Sequence, residues 1–469
     1  SQRRFWPRIS GALPSGHLTM PRVRRFRGVS RPRSRSGKRS QYLGDVPDSP
    51  VSLTSLFNLI ALVVTLAAVC GWVNHKWFRL PHTIGLVVIA LGVSFAALFL
   101  DAVAPSLGLE ATVRDALTQI DFHDTLMTGL LGFLLFAGAL HVDLKHLASR
   151  RWAIGTLATA GVLLSTVLIA LATYALSGLA GLDVPLPYCF VFGALISPTD
   201  PIAVLGILKK TQVPETLEAK IAGESLFNDG IGVVLFTIVV SVAVGGDGHG
   251  AELTTGGVAR LFVTEVVGGL VLGLVAGYVA YRAMRAIDEH NLEVLITLAL
   301  VMGAYALALR FHLSGPIAMV VAGLFIGNHG TQFAMSEGTC DHVEKFWSLL
   351  DEILNSLLFL AIGFEVFALT FTPAMAWIAA GAIPLVLAVR FVSVSVPVLA
   401  LRRWQEFTPG AIPVLTWGGL RGGISVALAL SLPPSPVRDQ ILAATYGVVV
   451  FSIIVQGLTV ERVVEATVK

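Results

Sequence analysis

Between Gly193 and Phe236, Thr199, Asp200, Glu224, Ser225, Asn228 and Asp229 sit among Ile, Leu, Val, Phe and Ala. Such residues suit one chemistry in particular. A carboxylate can take either a proton or a hard monovalent cation, and nearby hydroxyls, carbonyls and water can complete the oxygen shell that such an ion needs. At bilayer depth an ionised side chain costs several kcal/mol unless a partner or water meets it, so each of the six is a functional candidate. Other chemistries lack their signatures. No phosphate loop, nucleotide fingerprint or nucleophile elbow occurs, and His329, Cys340, Asp341 and His342 share one connection without a zinc spacing. We expect no enzyme activity and no cofactor.

Two segments must position these groups. In SPTDPIAV (197–204), Pro198 and Pro201 bracket Thr199 and Asp200, and each proline removes a backbone donor and disfavours helix in the residue before it. The span should therefore open there, leaving carbonyls of the 199–201 stretch free to meet an ion, as in the discontinuous helices of secondary transporters. GESLFNDGIGVVLF (223–236) reads as unbroken helix. Ser225 and Asp229 share one face at i, i+4, and Glu224 and Asn228 an adjacent one, so the two carboxylates can meet different partners.

Composition sets the class. The 469 residues are 55% hydrophobic and 13% charged with a mean hydropathy of +0.77, against roughly 25% charged in soluble domains. This is an all-α polytopic membrane protein with about thirteen transmembrane helices. Cys70, Cys189 and Cys340 are far apart and read as packing residues. Of 33 Lys and Arg, 12 fall in the first 50 residues beside only 2 of the 30 acidic residues, so the remainder carries a net negative charge of seven. Residues 1–50, rich in Arg, Ser, Pro and Gly, read as a disordered basic extension. We expect no nucleic-acid partner, and a start nearer Met20 would remove most of it.

The transmembrane body spans 51–465, with a first repeat over 51–245, a connecting helix over 255–286 and a second repeat over 290–465. Connections after odd-numbered spans carry Lys76, Arg79, Lys145, Arg150, Arg151, Lys209, Lys210, Lys220, Arg282, Arg285, Arg402 and Arg403, while those after even-numbered spans are acidic. The positive-inside rule makes the first set cytoplasmic, with the C-terminus inside, in a cell inner (plasma) membrane. Residues 105–123 read as an interfacial amphipathic helix, and GGLVLGLVAG (268–277) as a close-packing or dimer face. TWGGLRGGISVALALSL (416–432) is the second interrupted span, with Arg421 between glycine pairs, and Arg390 lies in PLVLAVRF. Intramembrane arginines need acids. Asp200 and Glu224 can supply one each, which leaves Asp229 without a fixed cation. The two interrupted spans occupy matching places in the two halves, as in an inverted repeat whose broken helices cross at the substrate site.

SPTDPIAV, GESLFNDGIGVVLF, LAVRF (387–391) and GLRGGISVALAL (419–430), in this order, resemble the monovalent cation:proton antiporter-1 family, the NhaP-type Na⁺/H⁺ exchangers, over about residues 55–460. The resemblance implies an NhaA-like fold with two crossed broken helices, a homodimer, and alternating access of a core domain. It places the ion-binding carboxylate on Asp229, with Asn228 beside it and Thr199 and Ser225 as oxygen ligands. It implies a buried Glu224–Arg390 pair and sets Arg421 near Asp200, also an ion-site candidate. One departure stands out: many relatives carry Glu where this chain has Ala137 in LLFAGAL.

From these residues we expect exchange of Na⁺, with Li⁺ or K⁺ as alternatives, for H⁺, by competition at Asp229. An Asn–Asp pair leaves one titratable site, hence one cation per proton and electroneutral exchange serving pH homeostasis. A K⁺/H⁺ antiporter is the alternative, a cation channel a weaker one. His82, His123, His141 and His146 lie near span ends and read as interfacial polar residues.

Overall fold

The computed structural model describes residues 53–107, 125–145, 151–179, 181–182, 184–200, 204, 215–244, 255–369, 372–404 and 407–467. The basic extension, most of the expected amphipathic segment 105–123, His123, His146 and Pro201 lie outside the described residues. Among the described residues the chain is helical, with one isolated bridge, Asp200 to Leu420. The helices are α1 (Leu53–Val73), α2 (His82–Val103), α3 (Leu131–Leu140), α4 (Val162–Leu179), α5 (Leu186–Ile196), α6 (Glu215–Ala243), α7 (Thr255–Met284) and α8 (His290–Arg310). They continue with α9 (Gly315–Phe325), α10 (Glu337–Phe364), α11 (Pro373–Leu401), α12 (Ala411–Trp417), α13 (Gly423–Leu430), α14 (Pro436–Phe451) and α15 (Gly457–Thr467). A π turn, Thr125–Leu130, precedes α3, and another, Leu157–Gly161, leads into α4.

Eight helices among the described residues are long and apolar enough to cross a membrane. The exceptions have reasons. α5, α12 and α13 are short because proline and glycine interrupt them, and α10 begins on a charged first half, Glu337, Asp341, Glu344, Lys345, Asp351 and Glu352. Starts follow local rules. Ser314, Ser336, Thr372 and Ser435 accept from the backbone amide three residues on and cap α9, α10, α11 and α14.

The body from Phe57 to Lys469 is one compact unit holding two large apolar clusters. One joins α2, α5, α10, α11, α13 and α14, and the other α3, α8, α9 and the first half of α10. Ion-site helices thus have packed apolar support on both sides. Cys70 and Cys189 are buried as packing residues, whereas Cys340 is only half-buried, with Sγ 3.5 Å from Glu344 Oε1. Among the described residues no three His, Cys, Asp or Glu gather to hold a resident metal.

The glycines of 268–277 pack inside the molecule. Cβ positions built on Gly269, Gly273 and Gly277 would meet Ser314, Ala318 with Val321, and Ala322 with Phe325, so α7 lies with its backbone against α9. The opposite face, Val267, Leu270, Val271, Leu274 and Val275, is exposed in the single chain.

Because the obstruction at Gly273 is the Ala318 backbone carbonyl, Gly273→Ala should overpack the contact by about 1–3 kcal/mol. Nothing lies within 4 Å of a Cβ at Gly303. Melting curves of detergent-solubilised protein should fall for Gly273→Ala and stay at the wild-type value for Gly303→Ala.

Candidate ion-binding site

The site is built where two interrupted segments cross. α5 ends at Ile196, Ser197 closes its last turn through Gly193 O at 3.1 Å, and the chain leaves the helix through Pro198, Thr199 and Asp200. In the second half the chain is unwound between α12 and α13, and Asp200 N donates to Leu420 O at 2.9 Å. Opening two helices leaves carbonyls and amides that the bilayer cannot solvate. Each end takes its partners from elsewhere. Ser425 Oγ of α13 donates to Leu195 O of α5 at 2.7 Å, and Arg421 Nη1 donates to Pro198 O at 3.2 Å. Arg390 gives Nε and Nη2 to Leu415 O in the last turn of α12 at 3.3 and 3.1 Å, and Gln456 Nε2 meets Trp417 O at 2.9 Å. The Asp200 carboxylate lies against Gly422, at the start of α13, where any side chain would collide with it. Cations therefore meet helix C-termini and an anion a helix N-terminus, the favourable sense of the helix dipole.

α6 passes behind the first unwound stretch and grips it through Thr199. Asn228 Nδ2 donates to Thr199 Oγ1 at 2.8 Å, Asn228 Oδ1 accepts from Thr199 N at 3.4 Å, and Ser225 Oγ donates to Thr199 O. Glu224, on another face of α6, forms a buried pair with Arg390, Oε1 to Nη1 at 2.6 Å, side chains 2% and 7% exposed. Arg421 lies between Leu420 and Gly422, both of which meet Asp200. Its guanidinium reaches the Pro198 carbonyl, two residues before Asp200, and Arg390 and Glu224 are the other charged groups near it. Its Nε has no partner among the described residues.

A cavity of about 400 Å³ opens in front of this arrangement. Thr199, Asp200 and Asp229 line it, whereas Ser225 and Asn228, 1% and 0% exposed, do not and instead hold Thr199 from behind. Asp229 is 8% exposed. Among the described residues no hydrogen bond or ion pair engages its carboxylate, and the charged group that acts on it is Asp200. Ala137 is buried against its neighbours on α3, and the position of that turn facing the cavity is Gly138. Asp351, Ser348 and His141 also line the cavity, though no sequence motif draws attention to them. The signal was there in part, since Asp351 opens the apolar half of an otherwise charged helix start.

Chemically the arrangement offers one buried carboxylate without a cation, a hydroxyl and carbonyl from Thr199, a second carboxylate at Asp200, and room for water. That set can hold a small cation or a proton. Removing one member of the Glu224–Arg390 pair strands a buried charge, so Glu224→Ala should cost about 3–5 kcal/mol. Glu224→Leu combined with Arg390→Met should restore only part of the loss, because Leu415 O then lacks its donors, read as melting temperature with and without bound lipid.

Comparison with known proteins gives this geometry its context. The sequence profile of the family described as "Sodium/hydrogen exchanger, transmembrane" matches residues 64–466. The Na(+)/H(+) antiporter NhaP of Pseudomonas aeruginosa is 49% identical over 416 residues, 87% of this chain and 96% of that protein. The Na(+)/H(+) antiporter NhaH of Halobacillus dabanensis is 36% identical over 418 residues, 87% of this chain and 96% of that one. In three dimensions the chain resembles the sodium proton antiporter MjNhaP1 of Methanocaldococcus jannaschii, solved at pH 8, with a TM-score of 0.66 over 88% of this chain and 98% of that one at 16% identity, a likeness of fold. With a profile match across most of its length and a relative at nearly half identity, the chain belongs to the sodium/hydrogen exchanger family.

Proposed function

We propose that this protein is a secondary active transporter that exchanges a monovalent cation, Na⁺ first, for H⁺ across a cell membrane. The observation that carries the reading is Asp229: a carboxylate 8% exposed, facing a cavity, with no hydrogen bond or ion pair among the described residues, while Glu224 on the same helix is matched by Arg390. A carboxylate so buried is stabilised in its charged form by a cation and in its neutral form by a proton. It holds one or the other, and the two fluxes are coupled by that exclusion. The names of relatives up to 49% identical, Na(+)/H(+) antiporters, support the same chemistry.

Each residue then has a role. Asp229 binds the ion, Thr199 offers oxygen ligands, and Ser225 and Asn228 position Thr199 through the bonds that hold it. Asp200 adds negative charge at the cavity wall, and Glu224, Arg390 and Arg421 hold the crossing together. Asn228 carries no titratable proton, so the exchange is one for one and electroneutral. The basic connections, Lys76, Arg79, Lys145, Arg282, Arg285 and Arg402 among them, support a cytoplasmic C-terminus in the inner (plasma) membrane. A homodimer, with the core of each copy moving to give alternating access, belongs to the same proposal.

The test is exchange in proteoliposomes with a pH-sensitive dye and Na⁺, Li⁺ or K⁺ as the cation. Wild-type protein should move protons on cation addition and Asp229→Asn should not, and a variant that retained exchange would exclude Asp229 as the ion site. Proton competition raises the apparent KM for the cation as pH falls, about tenfold per unit once Asp229 is mostly protonated. A membrane potential imposed at fixed ion gradients should leave the initial rate unchanged.

A further inference from the structure

The cavity in front of Asp229 has a mouth, and the mouth carries its own carboxylate. His141 and Ser348 line the open end and are exposed, Asp351 is half-buried, and Asp229 at the inner end is buried. His141 closes α3, and its Nδ1 donates to Ala137 O at 2.7 Å, which fixes the ring across the cavity from α10. Asn355, one turn along α10 from Asp351, is 2% exposed, and its Oδ1 has no partner among the described residues.

No lysine or arginine pairs with Asp351 among the described residues, and the titratable groups around it are His141 across the cavity, Asp200 within it and Glu352 on its own helix. A carboxylate at the entrance to a low-dielectric cleft concentrates cations there, because the field is focused by apolar walls. The walls here are Leu131, Leu134, Leu135 and Leu358. Asp351 and Asp229 are thus two stations on one aqueous path.

We propose that Asp351 is a cation-recruiting residue that receives the hydrated monovalent ion at the cavity mouth before it reaches Asp229. The inference rests on the exchange reading above and adds to it a residue that determines affinity. It predicts a change in apparent affinity without loss of turnover. In Na⁺ titrations at low ionic strength, Asp351→Asn should raise the apparent KM about fivefold with the maximal rate kept. Asp351→Ser should do the same, and Asp351→Glu should return the KM to the wild-type value. Raising the ionic strength with choline chloride should shrink the difference between wild type and Asp351→Asn, since screening removes the attraction that the variant already lacks.

An unchanged KM in both neutral variants would overturn the proposal. So would a loss of maximal rate at unchanged KM, which marks a packing role, or a KM shift that Asp351→Glu does not reverse. Failure of wild-type protein to exchange any cation for protons would instead overturn the transport reading, so the two failures are told apart by the wild-type control.

Discussion

The arrangement depends on satisfying backbone groups at four helix ends that meet inside the protein. A membrane helix that stops halfway leaves donors and acceptors for which hydrocarbon has no partners. Here the partners are charged side chains from other segments: Arg421 for the carbonyls after α5, Arg390 for the end of α12, and Asp200 against the start of α13. The same contacts therefore perform two tasks. They neutralise buried charges that would be prohibitive alone, and they fix an opened backbone that would otherwise refold into helix or pull apart.

This explains why the arginines are consumed and Asp229 is not. Arg390 is bound to Glu224 and to Leu415 O at once, so its five donors are largely spent, and Arg421 is turned toward Pro198 O. Neither guanidinium can swing to Asp229 without exposing a helix end. Glu224 and Asp229 lie five residues apart on α6, which at about 100° per residue points them in different directions. One helix thereby carries a locked acid and an available one.

Much of this was legible in the chain. Pro198 and Pro201 and the glycines around Arg421 announce two breaks, because neither residue type supports an uninterrupted span. Counting intramembrane charges matched two arginines to two acids, and the family resemblance singled out Glu224 with Arg390, the pair that forms. What could not be read depends on which way a side chain turns. Ser225 and Asn228 look like ion ligands by type and spacing, yet their hydrogen bonds close on Thr199 and turn them from the cavity. That the Arg421 guanidinium would reach the Pro198 carbonyl could not be read either, because it depends on the backbone bridge between Asp200 and Leu420. The α7 glycines were ambiguous between an internal and an external partner, since a small-residue face states closeness and not with whom.

The sign of the cavity follows from the same distribution. Among the described residues its charged lining is Asp200, Asp229 and Asp351, with His141 at the mouth and no lysine or arginine. Three acids that share an aqueous space repel one another, and the repulsion is relieved by a cation more effectively than by any rearrangement of a packed bundle. An anion would meet the opposite: a negative wall, and arginines whose donors are already bonded to Glu224 and to helix carbonyls. Selectivity for positive ions is therefore set before any ligand distance matters, by which charges the crossing uses and which it leaves facing water.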